Sequence, residues 1–155
     1  MTSRVAAQVQ PSSDWNPSLY MKFEDERMLA ARDLLVRVPL DSARIIYDLG
    51  CGPGNSAELL FRRFPDADIT GLDTSQAMLD HARMRAPRAR FVKQNIIDWA
   101  PTEPPNLIFA NGALDFLSDH HALFPRLAAR RSRPAVFSPC RCARRLANRR
   151  MRPCG

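Results

Sequence analysis

The chain reads as one α/β domain built on a doubly wound parallel sheet, and three observations predict it. Short apolar or β-branched runs alternate with segments of helical periodicity, the pattern of parallel strands joined by crossover helices. A glycine-rich turn, Asp48-Leu49-Gly50-Cys51-Gly52-Pro53-Gly54-Asn55, links the first strand run to the helix after it. Asp73 stands nineteen residues beyond Gly54, at the end of the second strand run.

Each element follows in order. Residues 1–13 are polar and read as a disordered start. Asp14-Trp15-Asn16-Pro17-Ser18-Leu19-Tyr20 mixes aromatics with turn residues. A helix is predicted from about Glu24 to Val36, with Met28, Leu29, Leu34 and Leu35 apolar and Pro39 stopping it. The first strand spans about 44–49, its helix about 55–64, the second strand about 67–72, and the next helix Ser75 to about Arg85. A short third strand, Phe91-Val92, precedes Gln94-Asn95-Ile96-Ile97-Asp98-Trp99. Leu107-Ile108-Phe109-Ala110 is the fourth strand, followed by helical patterns at about 113–117 and 120–130.

Composition narrows the class. A length of 155 residues supports one domain with a sizeable core. No apolar run approaches the roughly 18–20 residues that span a bilayer, and no secretory leader pattern opens the chain. A cytoplasmic protein with no membrane partner is expected. Cys51, Cys140, Cys142 and Cys154 make no disulfide framework. His120 and His121 are adjacent on a predicted helix, so they cannot share one face for a metal.

Strand, glycine turn, helix, strand and acid is the order in which a doubly wound sheet holds a nucleoside. The glycines let backbone approach a ligand closely, and an acid at the next strand tip can accept both ribose hydroxyls. The pattern here is D-x-G-x-G-x-G, which disfavours the dinucleotide fingerprint G-x-G-x-x-G. On the residues alone, Asp73 also suits a helix cap, Asn111 a plain turn, and Trp15 and Tyr20 core or lid packing.

The motif resembles motif I of class I S-adenosylmethionine-dependent methyltransferases. Five segments narrow the resemblance to the trans-aconitate 2-methyltransferase family: Asp14 to Phe23 (DWNPSLYMKF), Tyr47 to Asn55 (YDLGCGPGN), Ile69 to Leu79 (ITGLDTSQAML), Leu107 to Leu114 (LIFANGAL) and Asp119 to Leu127 (DHHALFPRL). The resemblance covers residues 14–129, the expected methyltransferase domain, and implies a Rossmann-like fold. It implies S-adenosyl-L-methionine as cofactor and methyl transfer to a carboxylate of trans-aconitate, a small-molecule partner. Asp48, Gly50, Gly52 and Gly54 would form the cofactor loop, and Asp73 would bind the ribose diol. Asn95 occupies the place of an Asp facing the adenine amino group, and Asn111 lies where the reacting group meets the methyl. Trp15 and Tyr20 look like an N-terminal flap. Asp115 and Phe116 depart from the family's usual Gln and Trp. An acceptor carboxylate is already ionised at pH 7, so no general base is needed and no catalytic residue is nominated.

The charge of +7 divides sharply along the chain. Residues 1–125 hold 13 basic and all 16 acidic side chains, whereas residues 126–155 hold ten arginines and no acid. Residues 130–155 therefore read as an Arg/Cys-rich tail outside the family pattern, disordered and out of frame. Back-translated and read from the third codon base, Arg133 to Cys142 is compatible with Pro-Gly-Gly-Val-Phe-Ala-Val-Gln-Met, a turn entering a buried strand. A frameshift near Arg130–Arg131 accounts for this, and it would truncate the sheet after the fourth strand. That strand would become a bare apolar edge, and catalysis by this chain would be weak or lost. The alternatives are a methyltransferase of another small molecule, a basic arm that binds nucleic acid, and a nonfunctional product.

Overall fold

The computed structural model describes Lys22, residues 24–117, residues 120–129 and residues 136–137. Trp15, Tyr20, the polar start and most of the basic tail lie outside the described residues. Helix α1 (Glu24–Val36) precedes β1 (Ile45–Leu49), α2 (Asn55–Arg63), β2 (Asp68–Asp73), α3 (Gln76–Arg85), β3 (Arg90–Lys93) and β4 (Leu107–Ala110). A 3-10 turn (Leu114–Phe116), α4 (His120–Ala129) and a two-residue β5 (Val136–Phe137) complete the order.

The strands pair in the order β3-β2-β1-β4-β5, and every pairing is parallel. β1 is central, and all of β4 is buried. Continuous apolar strands of this kind are what a sheet covered on both faces requires. Alternate side chains enter two cores. Ile46, Ile69, Leu107 and Phe109 join Ala31, Leu35, Leu60 and Leu79 from α1, α2 and α3. On the other face, Tyr47, Leu49, Leu72 and Ile108 pack with Trp99, Leu123 and Leu127. The predicted doubly wound sheet is therefore the observed one.

Side chains finish what the backbone leaves open. Asn106 Oδ1 accepts from the N–H groups of Arg44 and Ile45, each at 2.9 Å, tying the start of β1 to β4. The Arg63 guanidinium donates to the carbonyls of Leu35, Val38 and Leu40. Those carbonyls lie where α1 ends and Pro39 interrupts the chain, so α2 satisfies acceptors that α1 cannot.

Both edges of the sheet differ from expectation. β3 runs Arg90–Lys93 rather than only Phe91-Val92, because Thr70–Asp73 of β2 supplies a four-residue parallel partner. At the far side, Val136 and Phe137 pair with Phe109 and Ala110, so β4 is not a bare edge along its last two residues. An Ala-Val-Phe run in an otherwise Arg- and Pro-rich stretch supplies enough β preference for this short pairing. Among the described residues, no helix is long and apolar enough to cross a membrane.

Candidate functional site

The C-terminal ends of β1 and β2 lie side by side, with Leu49 in register with Leu72. β1 therefore delivers Asp48, and β2 delivers Asp73, to one end of the sheet, where doubly wound folds place ligands. The turn between β1 and α2 runs at positive φ at Gly50 (68°), Gly52 (52°) and Gly54 (90°).

Two of these glycines are set by close approach as well as by φ. A Cβ on Gly50 would lie 2.2 Å from Ala113 Cβ, so the segment after β4 rests directly on the glycine turn. A Cβ on Gly54 would lie 2.9 Å from Ala82 Cα, so α3 packs against the start of α2. The turn is clasped from both sides.

Asp48 is 1% exposed, and the Ser56 hydroxyl donates to its Oδ2 at 2.5 Å. Its Oδ1 has no hydrogen-bond partner among the described residues, and neither has Oδ1 of Asn55, which is also buried. Two buried acceptors without donors beside one glycine turn are an unmet demand for a donor group. Burial pushes the Asp48 carboxyl up to about 7, the Ser56 hydrogen bond opposes this, and the charge of Asp73 adds to it.

The stability consequence has a definite sign. Between about pH 4 and pH 7 the native Asp48 keeps a proton that the unfolded chain has lost, so stability falls across that window. Above pH 7 the deficit is complete. Asp48→Asn is expected to stabilise the chain at pH 8 by on the order of 1–3 kcal/mol and to change little at pH 4. Thermal unfolding at the two pH values measures this, and an equal gain at both would refute it.

Asp73 is a bracket between elements. Its Oδ2 accepts the Gly52 N–H at 3.0 Å, and its Oδ1 accepts the Ser75 N–H at 2.9 Å. Burial raises its pKa, while the N–H groups of Ser75, Gly52 and Thr74 pull it back. The helix cap itself is Ser75, whose Oγ accepts from Met78 N–H at 3.4 Å. Asp73 is thus left to hold the glycine turn.

Among the described residues, the other two predicted ones, Asn95 and Asn111, flank this pair. Gln94 N–H donates to the Asp73 carbonyl at 3.0 Å, which brings the half-buried Asn95 next to β2. Asn95 Oδ1 is engaged locally, accepting from Ile97 N–H at 2.9 Å. Asn111 closes the other side, where its Nδ2 donates to the Arg27 carbonyl of α1 at 3.4 Å. Cys51 is 3% exposed, and burial, with Asp48 and then Asp73 adding negative charge, pushes its thiol far up. It is a neutral filler beneath the turn. Asn55 ends the predicted turn and Ser75 opens a predicted helix, but local sequence gives neither of them, nor Ser56 nor Ala113, a role in the site. Ser56, opening a helix eight residues after a motif acid, was the one signal on offer.

Residues 46–134 match the family described as methyltransferase domain. The chain belongs to that methyltransferase family. Among its relatives, the trans-aconitate 2-methyltransferase of Paracidovorax citrulli is 56% identical over 118 residues, covering 75% of this chain and 45% of that protein. The enzyme of the same name from Methylobacterium radiotolerans is 55% identical over 115 residues, covering 74% of this chain and 44% of the relative. This member of the family thus spans less than half the length of the curated relatives it matches. Its fold is shared with the plantazolicin methyltransferase BpumL in complex with SAH (TM-score 0.61, 20% identity, 76% of this chain and 49% of that one).

Proposed function

We propose that residues 14–129 form the cofactor-binding half of an S-adenosylmethionine-dependent methyltransferase, and that the methyl acceptor is a carboxylate of trans-aconitate. One observation carries the cofactor reading. Asp48 and Asp73 stand at the tips of adjacent parallel strands, bridged by a glycine turn that opens a helix. The residues fit the group. The N–H groups of the turn and the start of α2 suit the methionine carboxylate. Asp48 Oδ1 and Asn55 Oδ1, buried without donors, suit its ammonium. Asp73 keeps free lone pairs on both oxygens for two ribose hydroxyls. Asn95 faces the adenine edge in this reading, Asn111 the reacting group, and Trp15 and Tyr20 the lid.

When bound, S-adenosylmethionine supplies an electrophilic methyl. The work of this chain's residues is to orient it and exclude water, because an acceptor carboxylate already carries its nucleophilic charge. The names of the relatives support trans-aconitate as acceptor. Asp115, exposed on the turn after β4, favours a second reading, a less acidic small molecule, because a carboxylate there repels a polyanion.

Calorimetric titration of the 155-residue chain with S-adenosylhomocysteine tests the cofactor reading. Saturable binding is expected, tightening about tenfold from pH 6 to pH 8 as Asp48 ionises beside the ligand ammonium. In Asp48→Asn that pH dependence should vanish. A folded, soluble sample without binding would remove the reading. Mass spectrometry of incubations with trans-aconitate then tests the acceptor, with methyl ester formed far more slowly than by a full-length relative.

A further inference from the structure

We propose that Arg126 of α4 is a positioning residue for recognition of the nucleobase, acting through the peptide unit that holds the Asn95 amide. This rests on the cofactor reading above. Arg126 Nη2 donates to the Ile96 carbonyl at 3.1 Å, across 30 residues. Ile96 follows Asn95 directly and is buried in the second core with Leu123 and Leu127 of α4. Its side chain also reaches the glycine turn, since a Cβ on Gly50 would lie 3.9 Å from Ile96 Cδ1.

Packing alone does not account for an arginine here. The side chain is half-buried, and its Nε is buried without a partner among the described residues. Met or Leu would cover the same core without stranding a donor. What the guanidinium adds is a hold on the Ile96 carbonyl.

That carbonyl belongs to the same planar peptide unit as the Ile97 N–H. Fixing the one end aims the other, and the Ile97 N–H donates to Asn95 Oδ1 at 2.9 Å. The turn closes only loosely by itself. Trp99 N–H reaches the Ile96 carbonyl at 3.3 Å, and Asp98 N–H reaches the Asn95 carbonyl at 3.2 Å, both at the long end of the range. Arg126 therefore sets, through one peptide plane, which way the Asn95 amide faces. The amide oxygen keeps a second lone pair, which can accept the exocyclic amino group of adenine but not an oxo group in its place. Released from the Ile97 N–H, the amide can turn over and present its NH2 instead, and it then meets either base. Arg126 thus keeps the amide in the orientation that discriminates.

Calorimetry of the full chain with S-adenosylhomocysteine and with S-inosylhomocysteine, which carries an oxo group in place of the amino group, tests this. The parent is expected to prefer the adenosyl ligand about tenfold, the worth of one hydrogen bond. Arg126→Met should narrow that preference to about twofold, and so should Asn95→Ala. Adding Arg126→Met to Asn95→Ala should narrow it no further, because the arginine acts through the amide. A loss of stability alone would weaken both ligands together and leave their ratio intact. Arg126→Lys, which can still donate to the carbonyl, should keep most of the preference. Arg126→Gln, a milder truncation, repeats the test if the methionine variant does not fold. A ratio unchanged by the loss of Arg126, a further narrowing in the double variant, or a parent that binds both ligands equally would each overturn the proposal. A folded parent that binds neither ligand overturns the cofactor reading, and this proposal with it.

Discussion

Replacing Gly50 by alanine is expected to lower folding stability by about 3 kcal/mol and to abolish S-adenosylhomocysteine binding. Two costs combine. A left-handed φ of 68° costs an L-residue about 1–2 kcal/mol. The new Cβ, 2.2 Å from Ala113 Cβ, adds an overpacking cost of about 1–3 kcal/mol. Either relief, backing the turn away from the segment after β4 or rotating its backbone, moves the Gly52 N–H off Asp73. The double variant Gly50→Ala/Ala113→Gly separates the two costs: it should recover the overpacking part and leave the backbone part. Urea unfolding of both variants measures this. A Gly50→Ala chain as stable as the parent would show that the clasp is not tight.

Asp73→Ala is expected to weaken S-adenosylhomocysteine binding about 100-fold, the loss that follows from the ribose contact proposed for Asp73. The same change removes the acceptor for the Gly52 and Ser75 N–H groups, so stability should fall by about 1–2 kcal/mol. Asp73→Asn, which keeps one carbonyl oxygen, should fall between in both measurements. Calorimetry alongside unfolding separates ligand loss from loosening of the turn. If Asp73→Asn bound like the parent, the charge would play no part in recognition.

These two variants and Asp48→Asn test one electrostatic arrangement. Burial raises the pKa of both carboxyls, and at Asp48 the charge of Asp73 adds to it. The opposing groups are a hydroxyl from Ser56 and N–H groups from Gly52, Thr74 and Ser75. Neutral donors steady a carboxylate without satisfying its charge, which leaves a ligand ammonium room to do so. In the proposed cofactor site, stability given up at Asp48 above pH 7 is what would make the site receptive there. Removing the acid should raise one property and lower the other.

Much of this was legible along the chain. The bounds of α1 and β4 coincide with those read from local pattern, because Pro39 ends the one and four consecutive apolar residues make the other. The glycine turn was legible because positive φ has a residue signature, and Asp73 because it ends an apolar run. β3 was read too short, since Arg90 and Lys93 carry no strand signal of their own and are recruited by β2. β5 was missed for the same reason, its two residues being strand only through β4.

By itself, then, the sequence determined the order of elements from α1 to α4, the turn that must be glycine, and the acids at the ends of β1 and β2. Only the tertiary structure decided what those groups touch. Asp73 closes on the Gly52 N–H across 21 residues, Asn111 reaches the Arg27 carbonyl across 84, and Ala113 comes to rest on Gly50. Local pattern records φ, periodicity and burial, which depend on near neighbours. Contacts of this range depend on strand order and register, which exist only once β1 has taken β2 and β4 as its two neighbours.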